Sequence, residues 1–353
     1  MTPDKPEREK KKQVDLNGNP VNKDKKSEKK KENDDCFQLN IDLYLPHKCP
    51  ECNSQNIRYI ETRRNEGKSD TDVYKCRECG KKLTDSPTKG SRYDLSIIAE
   101  MIELRTSGIN LDDCVDIIIK GSAKEGKKIS LTKNTITYAL IKYAKLLRDF
   151  EIYYCMNELE WKGIQGTIQI DDTPQMKKKE LYCWIINILD ILTGYWTVAL
   201  VTKRRDTKIY EAAYKKHLKI VRHSPAKIIG DGLKSQIKAA KNIFRNSQFI
   251  FETKKKNYGI VNAVEGLHSW VRRLGLRKRA NHGPLELLQA YMDLYRVKRN
   301  FLTEGKDGLT PAQRLGIKYP RANKDDVLDS DWERLIDFAY RYLTRVVGVD
   351  PFD

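Results

Sequence analysis

The chain has 353 residues, 67 of them Lys or Arg and 49 Asp or Glu, which leaves a net charge of +18 with 33% of residues charged. That length suits two or three domains with a sizeable core, and the basic surplus points to a polyanion, either nucleic acid or an acidic membrane surface. No apolar run approaches the roughly 18 to 20 residues that cross a bilayer, and the Lys/Glu-rich start is no signal peptide, so secretion and membrane spanning are excluded as first readings.

Residues 1–35 contain the lysine runs Lys10 to Lys12 and Lys29 to Lys31, yet they hold 11 basic and 9 acidic residues, a net of only +2. With Val14, Leu16 and Val21 almost their sole apolar residues, they cannot bury enough surface to offset ordering entropy, and a disordered charged leader is expected. Such a leader is a solvating tail, or alternatively a phosphate tether. The surplus lies further on: residues 254–300 carry 11 basic side chains, Lys254, Lys255, Lys256, Arg272, Arg273, Arg277, Lys278, Arg279, Arg296, Lys298 and Arg299, against Glu265, Glu286 and Asp293.

Residues 41–90 contain two knuckles, Cys49-x2-Cys52 and Cys76-x2-Cys79, with room for a hairpin between them. Two such pairs complete the tetrahedral four-thiolate shell that Zn²⁺ prefers, so one structural zinc in a zinc ribbon is expected; a closed shell leaves no open position for catalysis. Cys114, Cys155 and Cys183 sit in apolar contexts and read as small core residues, and Cys36 as an incidental tail thiol.

From 93 to 150 the periodicity is helical. Leu95, Ile98, Met101, Ile102 and Ile109 recur at three- and four-residue steps and Gly108 interrupts them. Asn110 to Asp113 opens a second helix, and Ser130 or Thr132 caps a third that runs to about Phe150. Three helices of this order suggest a helix-turn-helix-like module with the third as recognition helix. A spacer bundle has the same periodicity and stays open.

Over 164–303 strands alternate with helices. Thr167 to Ile170 leads into Asp171-Asp172-Thr173-Pro174, where Pro174 is expected to help stop the strand. Leu181 to Leu189 and Tyr195 to Val201 form a hairpin, followed by a helix (Asp206 to Val221), a strand ending at Gly230, a helix (Ser235 to Phe244), a strand (Gln248 to Thr253) and a helix from about Val261. The order β-β-β-α-β-α-β-α predicts an α/β, RNase H-like core preceded by the ribbon and the helical module. Asp171 and Asp231 both follow strands, where an α/β sheet opens onto a crevice. On the last helix Ile260, Val264, Leu267, Val271 and Leu274 make an apolar stripe, and Glu265, His268 and Arg272 a polar one. Of the adjacent pair Asp171 and Asp172 only one can face a given side of the strand, which makes Asp172 the fallback for Asp171. Asp190 and Asp206 read as structural, and Trp184, Trp196 and Trp270 as packing residues. Residues 304–353 form a C-terminal segment with a final helix around Trp332 to Val347.

These motifs carry a resemblance. Ile170-Asp171-Asp172-Thr173, Gly230-Asp231-Gly232 and Asn262-Ala263-Val264-Glu265-Gly266-Leu267-His268 with Arg272, 33 residues separating Asp231 from Glu265, resemble the three motifs of the DDE transposases of prokaryotic insertion sequences, the group with a zinc ribbon and helix-turn-helix before an RNase H-like domain. Leu309 to Gly316 resembles a segment common near the end of such enzymes. The resemblance covers about 45 to 320; the leader and final helix lie outside it.

The resemblance implies an enzyme that cleaves transposon ends and transfers strands into target DNA, with Asp171, Asp231 and Glu265 holding two Mg²⁺ (or Mn²⁺) ions. It implies double-stranded DNA as partner, both terminal inverted repeats and target; the basic stretch with Arg272, Arg273, Arg277, Lys278 and Arg279 would neutralise its phosphates, and His268 either touches phosphate or supports the helix that carries Glu265. It implies at least a homodimer on DNA, and a cytoplasmic, nucleoid-associated protein that uses no membrane. Two rivals are weighed against it: a catalytically idle, domesticated DNA-binding descendant, and a recombinase with a Ser or Tyr nucleophile, for which Tyr291 and Tyr295 near Arg296 and Arg299 are the candidates.

Overall fold

The computed structural model describes residues 49, 51–52, 54–65, 68–158, 166–177, 180–251, 262–273, 284–317, 319 and 330–352. The leader at 1–35 and the basic residues Lys254 to Lys256, Arg277, Lys278 and Arg279 lie outside them.

The chain begins with a three-stranded antiparallel sheet, β1 (Ile57–Asn65), β2 (Lys68–Cys76) and β3 (Lys82–Asp85), in the order β1-β2-β3. Its small core is Cys49, Ile57, Tyr74 and Cys76. So little apolar surface cannot stabilise a sheet of this size alone, which is the usual reason such units need a metal.

Three helices follow, α1 (Leu95–Thr106), α2 (Leu111–Lys124) and α3 (Lys133–Glu158). Asn110 caps α2 by accepting from the Asp113 N–H at 2.8 Å, and Thr132 accepts from the Thr135 N–H at 3.2 Å at the start of α3. The third helix continues eight residues past Phe150. Its buried stripe, Ile136, Leu140, Tyr143, Leu147 and Phe150, simply extends through Tyr154 and Cys155. Phe150 packs its ring 6.1 Å from Phe301, 5.5 Å from Phe338 and 5.7 Å from Tyr342, so α1 to α3 share one continuous apolar core with later elements.

The central sheet comprises β4 (Thr167–Lys177), β5 (Glu180–Asp190), β6 (Trp196–Thr202), β7 (Lys227–Gly230) and β8 (Gln248–Phe251) in the order β6-β5-β4-β7-β8. Strands β4 to β6 are antiparallel neighbours, while β7 runs parallel to β4 and β8 parallel to β7. With α4 (Thr207–Val221) before β7 and α5 (Lys234–Ile243) before β8, this is the RNase H-like fold. Asp206 caps α4 through the Ile209 N–H, and Asp190 accepts from the Thr193 N–H in the β5–β6 turn, the structural parts expected of them.

Strand β4 does not stop at Pro174. It pairs with β7 only over Thr167 to Gln169, whereas its pairing with β5 runs to Lys177. Beyond Gln169 it is an edge strand on the β7 side, and an edge tolerates proline's missing N–H. The strand alternates strictly: Ile168 and Ile170 enter the core formed with α4 and α5, while the opposite face carries Gln169, Asp171, Thr173 and Gln175.

Across that polar face lies α6 (Asn262–Arg273). After it come α7 (Leu285–Val297), continued by a π-helical turn over Lys298–Leu302, the short α8 (Pro311–Arg314), and α9 (Asp331–Arg341), continued by a π-helical turn over Tyr342–Val347. The last helix ties the chain's parts together. Trp332 Nε1 donates to Glu103 at 2.6 Å on α1, Arg345 binds Asp72 of the ribbon at 2.7 Å, and Tyr342 donates to Glu158 at 3.0 Å.

Candidate active site

The parallel register pairs Thr167 with Lys227, Ile168 with Ile228 and Gln169 with Ile229. Two residues beyond the last register pair come Asp171, still within β4, and Asp231, the first residue after β7, where the two strands part. Gly230 precedes Asp231 because a Cβ there would run into the Gln236 side chain and Ile170. Gly232 follows with φ of 81°, a left-handed turn that favours glycine. The Asp231 carboxylate accepts from the Leu233 N–H at 3.1 Å.

The adjacent carboxylates of β4 separate as a strand requires. Asp172 faces α4, with a side chain 4% exposed; it accepts from Arg205 Nη1 at 3.0 Å and from the Tyr210 hydroxyl. Arg205 in turn lies 3.6 Å over the Trp184 ring. Asp171 faces α6 with its side chain 20% exposed. Burial pushes its carboxyl up to about 7, the charges of Asp231, Asp172 and Glu265 add to the rise, and the Asp172 N–H at 2.8 Å opposes it.

Helix α6 is seated by Val264, Leu267 and Val271, all buried, and by a hydrogen bond at 3.2 Å from the Val264 N–H to Oε1 of the buried Gln169. This brings the exposed Glu265, in the first turn of the helix, to the Asp171 side of the sheet. His268 departs from the sequence expectation. Three residues make only about 300° of helix, short of a full turn, so His268 falls toward the sheet rather than beside Glu265. It is 3% exposed, with Nε2 2.9 Å from Asn187 Nδ2 and Nδ1 3.6 Å from Asp171 Oδ2. The polar stripe is instead Glu265, Ser269 and Arg272, all exposed. A side chain so enclosed offers phosphate no approach, so of the two roles expected of His268 its burial favours support of the helix that carries Glu265 over a DNA contact. The backbone of Arg273 closes α6, while Arg277, Lys278 and Arg279 lie outside the described residues.

Three of the basic residues counted in the sequence are used internally. Arg296 is buried and binds Glu151 of α3, with Asp293 3.9 Å from it. Lys298 binds Glu103 at 2.9 Å, and burial lowers the pKa of Arg299. Tyr291 and Tyr295 are 1% and 3% exposed. A tyrosine nucleophile needs access and free arginines, so burial overturns that rival reading. Sequence reasoning missed Asn187 altogether: an Asn inside the apolar run Trp184 to Leu189 was the available signal, since a lone buried amide needs partners.

At the ribbon, Cys49, Cys52, Cys76 and Cys79 bring their sulfurs within 4.8 Å of one another. The Cys49–Cys79 and Cys52–Cys76 sulfurs are each 3.5 Å apart, near the roughly 3.8 Å edge of a tetrahedron with zinc–sulfur bonds of about 2.3 Å. The backbone N–H groups of Cys79 and Glu78 help draw the Cys76 thiol down to about 7, while burial and the neighbouring thiols hold Cys52 and Cys79 up, as in a cluster whose first thiolate discourages the next. The donor set fits zinc. Cys114, Cys155 and Cys183 are buried free thiols, as expected of core residues.

Among the described residues no other group of three or more ligands is so tight, Asp171, Asp231 and Glu265 included; what links those three acids is the rise that Asp231 and Glu265 impose on the Asp171 carboxyl. Hard carboxylate oxygens with crowded negative charge fit Mg²⁺ or Mn²⁺.

No protein-family model matches the chain, and no curated protein matches it. Among solved structures it is similar to a chain in the simian T-cell lymphotropic virus intasome in complex with PP2A regulatory subunit B56 gamma, at 14% identity and a TM-score of 0.35. That match covers 48% of this chain and 62% of the other, so the chain spans less than two thirds of it. It is similar to the HTLV-2 integrase catalytic core domain in complex with magnesium, in its dimeric form, at 14% identity and a TM-score of 0.33, over 43% of this chain and 96% of that one. It is also similar to the catalytic core domain of BIV integrase, at 15% identity and a TM-score of 0.32, over 42% of this chain and 92% of that one. The RNase H-like fold stands on the strand order and pairing of the central sheet.

Proposed function

We propose that this chain is a DDE-type DNA transposase that cleaves the ends of a mobile element and joins them to target DNA. What supports the reading is that Asp171 and Asp231 each come two residues after the last register pair of the parallel strands β4 and β7, with Asp231 and Glu265 close enough for their charges to raise the Asp171 carboxyl. Two divalent cations held by these carboxylates would acidify the attacking hydroxyl and neutralise the leaving oxygen.

The chain's own residues supply the rest. Asp231 is held by the Leu233 N–H between its flanking glycines, and Asp171 by the pairing of β4 with β5 opposite Asn187. Glu265 rides on a helix whose depth is set by Val264 and Gln169. Arg272 faces solvent one helical face away from the sheet and would neutralise DNA phosphate beside the reacting strand, with Arg273, Arg277, Lys278 and Arg279 extending the basic surface.

The zinc-ribboned segment and α1 to α3 would bind the terminal inverted repeats, with one structural Zn²⁺ in the ribbon. Joining two ends needs two copies of the site, hence a homodimer or larger assembly on DNA. A cytoplasmic, nucleoid-associated location goes with this reading; among the described residues no helix is long and apolar enough to cross a membrane. The test is Mg²⁺-dependent cleavage of a DNA bearing the element's ends: wild type cleaves and Asp231→Ala does not.

A further inference from the structure

Strand register places Asn187 of β5 directly opposite Asp171 of β4, and α6 lays His268 over both. All three side chains occupy the same face at the same level. Asn187 is 1% exposed and His268 3%, so water does not compete for the contacts between them.

The hydrogen-bond pattern fixes where the histidine carries its proton. Asn187 Nδ2 donates to the Ile185 carbonyl at 3.3 Å and lies 2.9 Å from His268 Nε2. Turning the amide over would set its oxygen against the Ile185 carbonyl oxygen, two acceptors face to face, so the nitrogen belongs there. An amide nitrogen carries two hydrogens and accepts none. Nε2 must therefore accept, and in the neutral ring the proton sits on Nδ1, which faces Asp171 Oδ2 at 3.6 Å. That separation is just beyond a hydrogen bond, and a small rotation of the Asp171 carboxylate closes it.

The other end of the amide, Asn187 Oδ1, is buried and has no hydrogen-bond partner among the described residues. A residue kept only to satisfy the core would be apolar here, like its strand neighbours Ile185, Ile186 and Ile188. The unpartnered oxygen is accounted for if the amide is kept to hold His268 in one tautomer.

We propose that Asn187 and His268 are positioning residues that orient the Asp171 carboxylate, with Asn187 locking the Nδ1–H tautomer and Nδ1–H steering one carboxylate oxygen so that the other is turned to the cation. This rests on the reading of Asp171 as a metal ligand. Partners of this kind around a ligand typically change metal affinity by 10- to 100-fold.

The test uses the full chain, zinc-loaded and free of DNA, with Mn²⁺ as probe. Imidazole ¹⁵N shifts of wild type should show His268 protonated at Nδ1 and bare at Nε2; a bare Nδ1 overturns the proposal without any variant having to fold. Mn²⁺ titration then compares His268→Gln, which keeps a polar group near Nε2 and loses the Nδ1 donor, with His268→Asn, which keeps a donor near Nδ1. The expected result is Mn²⁺ binding weaker by about 10- to 100-fold in His268→Gln and largely restored in His268→Asn. Packing alone predicts the reverse order, since Gln is nearer His in length. Asp171-dependent binding that survives undiminished in His268→Gln overturns the relay alone. Equal Mn²⁺ binding by wild type and Asp171→Ala overturns the metal-site reading and the relay with it.

Discussion

Asp172 turns its carboxylate away from its neighbour Asp171 and onto Arg205, 3.0 Å away, with the Tyr210 hydroxyl as a second donor. Two adjacent acids thus have different employments: one braces β4 against α4, the other faces the candidate metal site. Asp172→Asn should leave Mg²⁺-dependent cleavage largely intact while lowering stability by about 1 to 3 kcal/mol, the range for a charged hydrogen-bond partner lost from a buried site. Asp171→Asn should do the opposite, abolishing cleavage with little loss of stability. Urea denaturation of both variants beside a cleavage assay checks the pair, and loss of cleavage in both would merge the two roles.

Removing the ribbon metal should be felt well beyond the ribbon. The mini-core of Cys49, Ile57, Tyr74 and Cys76 is too small to hold three strands, and Asp72 of β2 binds Arg345 at the far end of the chain. A purified protein is expected to hold about one zinc per chain under reducing conditions. Chelation, or Cys76→Ala, should lower Tm and expose the ribbon to protease first. Mass spectrometry of the metal content with limited proteolysis reads both.

The buried pair Arg296 and Glu151 joins α7 to α3, and Tyr195 and Asn300 also bind Glu151. Glu151→Ala leaves the guanidinium buried with only Asp293 nearby, and should cost about 3 to 5 kcal/mol. Tyr291→Phe and Tyr295→Phe should leave DNA cleavage unchanged, because neither hydroxyl reaches solvent. Chemical denaturation and a cleavage assay decide these separately.

Acid should destabilise the fold through His217. Burial holds this ring neutral, its pKa lowered to about 3, with Nδ1 2.8 Å from the Thr197 hydroxyl. In the unfolded chain the ring takes up its proton near 6.5. Between those values the unfolded state binds more protons, so this contribution is complete above about pH 6.5 and is lost as pH falls toward 3, at up to about 1.4 kcal/mol per pH unit. His217→Gln should flatten the dependence of stability on pH in that window, measured by urea denaturation at several pH values; an unchanged slope would assign it elsewhere.

Much of the fold could be read from alternation and caps alone. The switch from helical to strand periodicity at Gly166 and the capping residues Asn110, Asp206 and Thr132 are local signals, and each coincides with an element boundary. What stayed hidden depends on partners distant in sequence. Strand β4 runs past Pro174 because β7 is too short to need that edge. The third helix runs to Glu158 because α7 and α9 cover its last turns. Arg296 reads as DNA-binding charge until Glu151, 145 residues away, is found beside it. His268 reads as part of the Glu265 and Arg272 stripe until Asn187 and Asp171, far from it in sequence, are found against it. The position of Asp231 was legible because a strand end with flanking glycines is a local feature, whereas Asp171, expected at a strand end, lies within β4.

The central claim is that Asp171, Asp231 and Glu265 act together as one metal-dependent site for phosphoryl transfer. The most direct measurement is cleavage and strand transfer on DNA carrying the element's ends, in Mg²⁺, by wild type and Asp231→Ala, with end binding followed in parallel by mobility shift. Wild type should cleave and join, while the variant binds the ends about as well and does neither. Cleavage by Asp231→Ala at the wild-type rate would contradict the account.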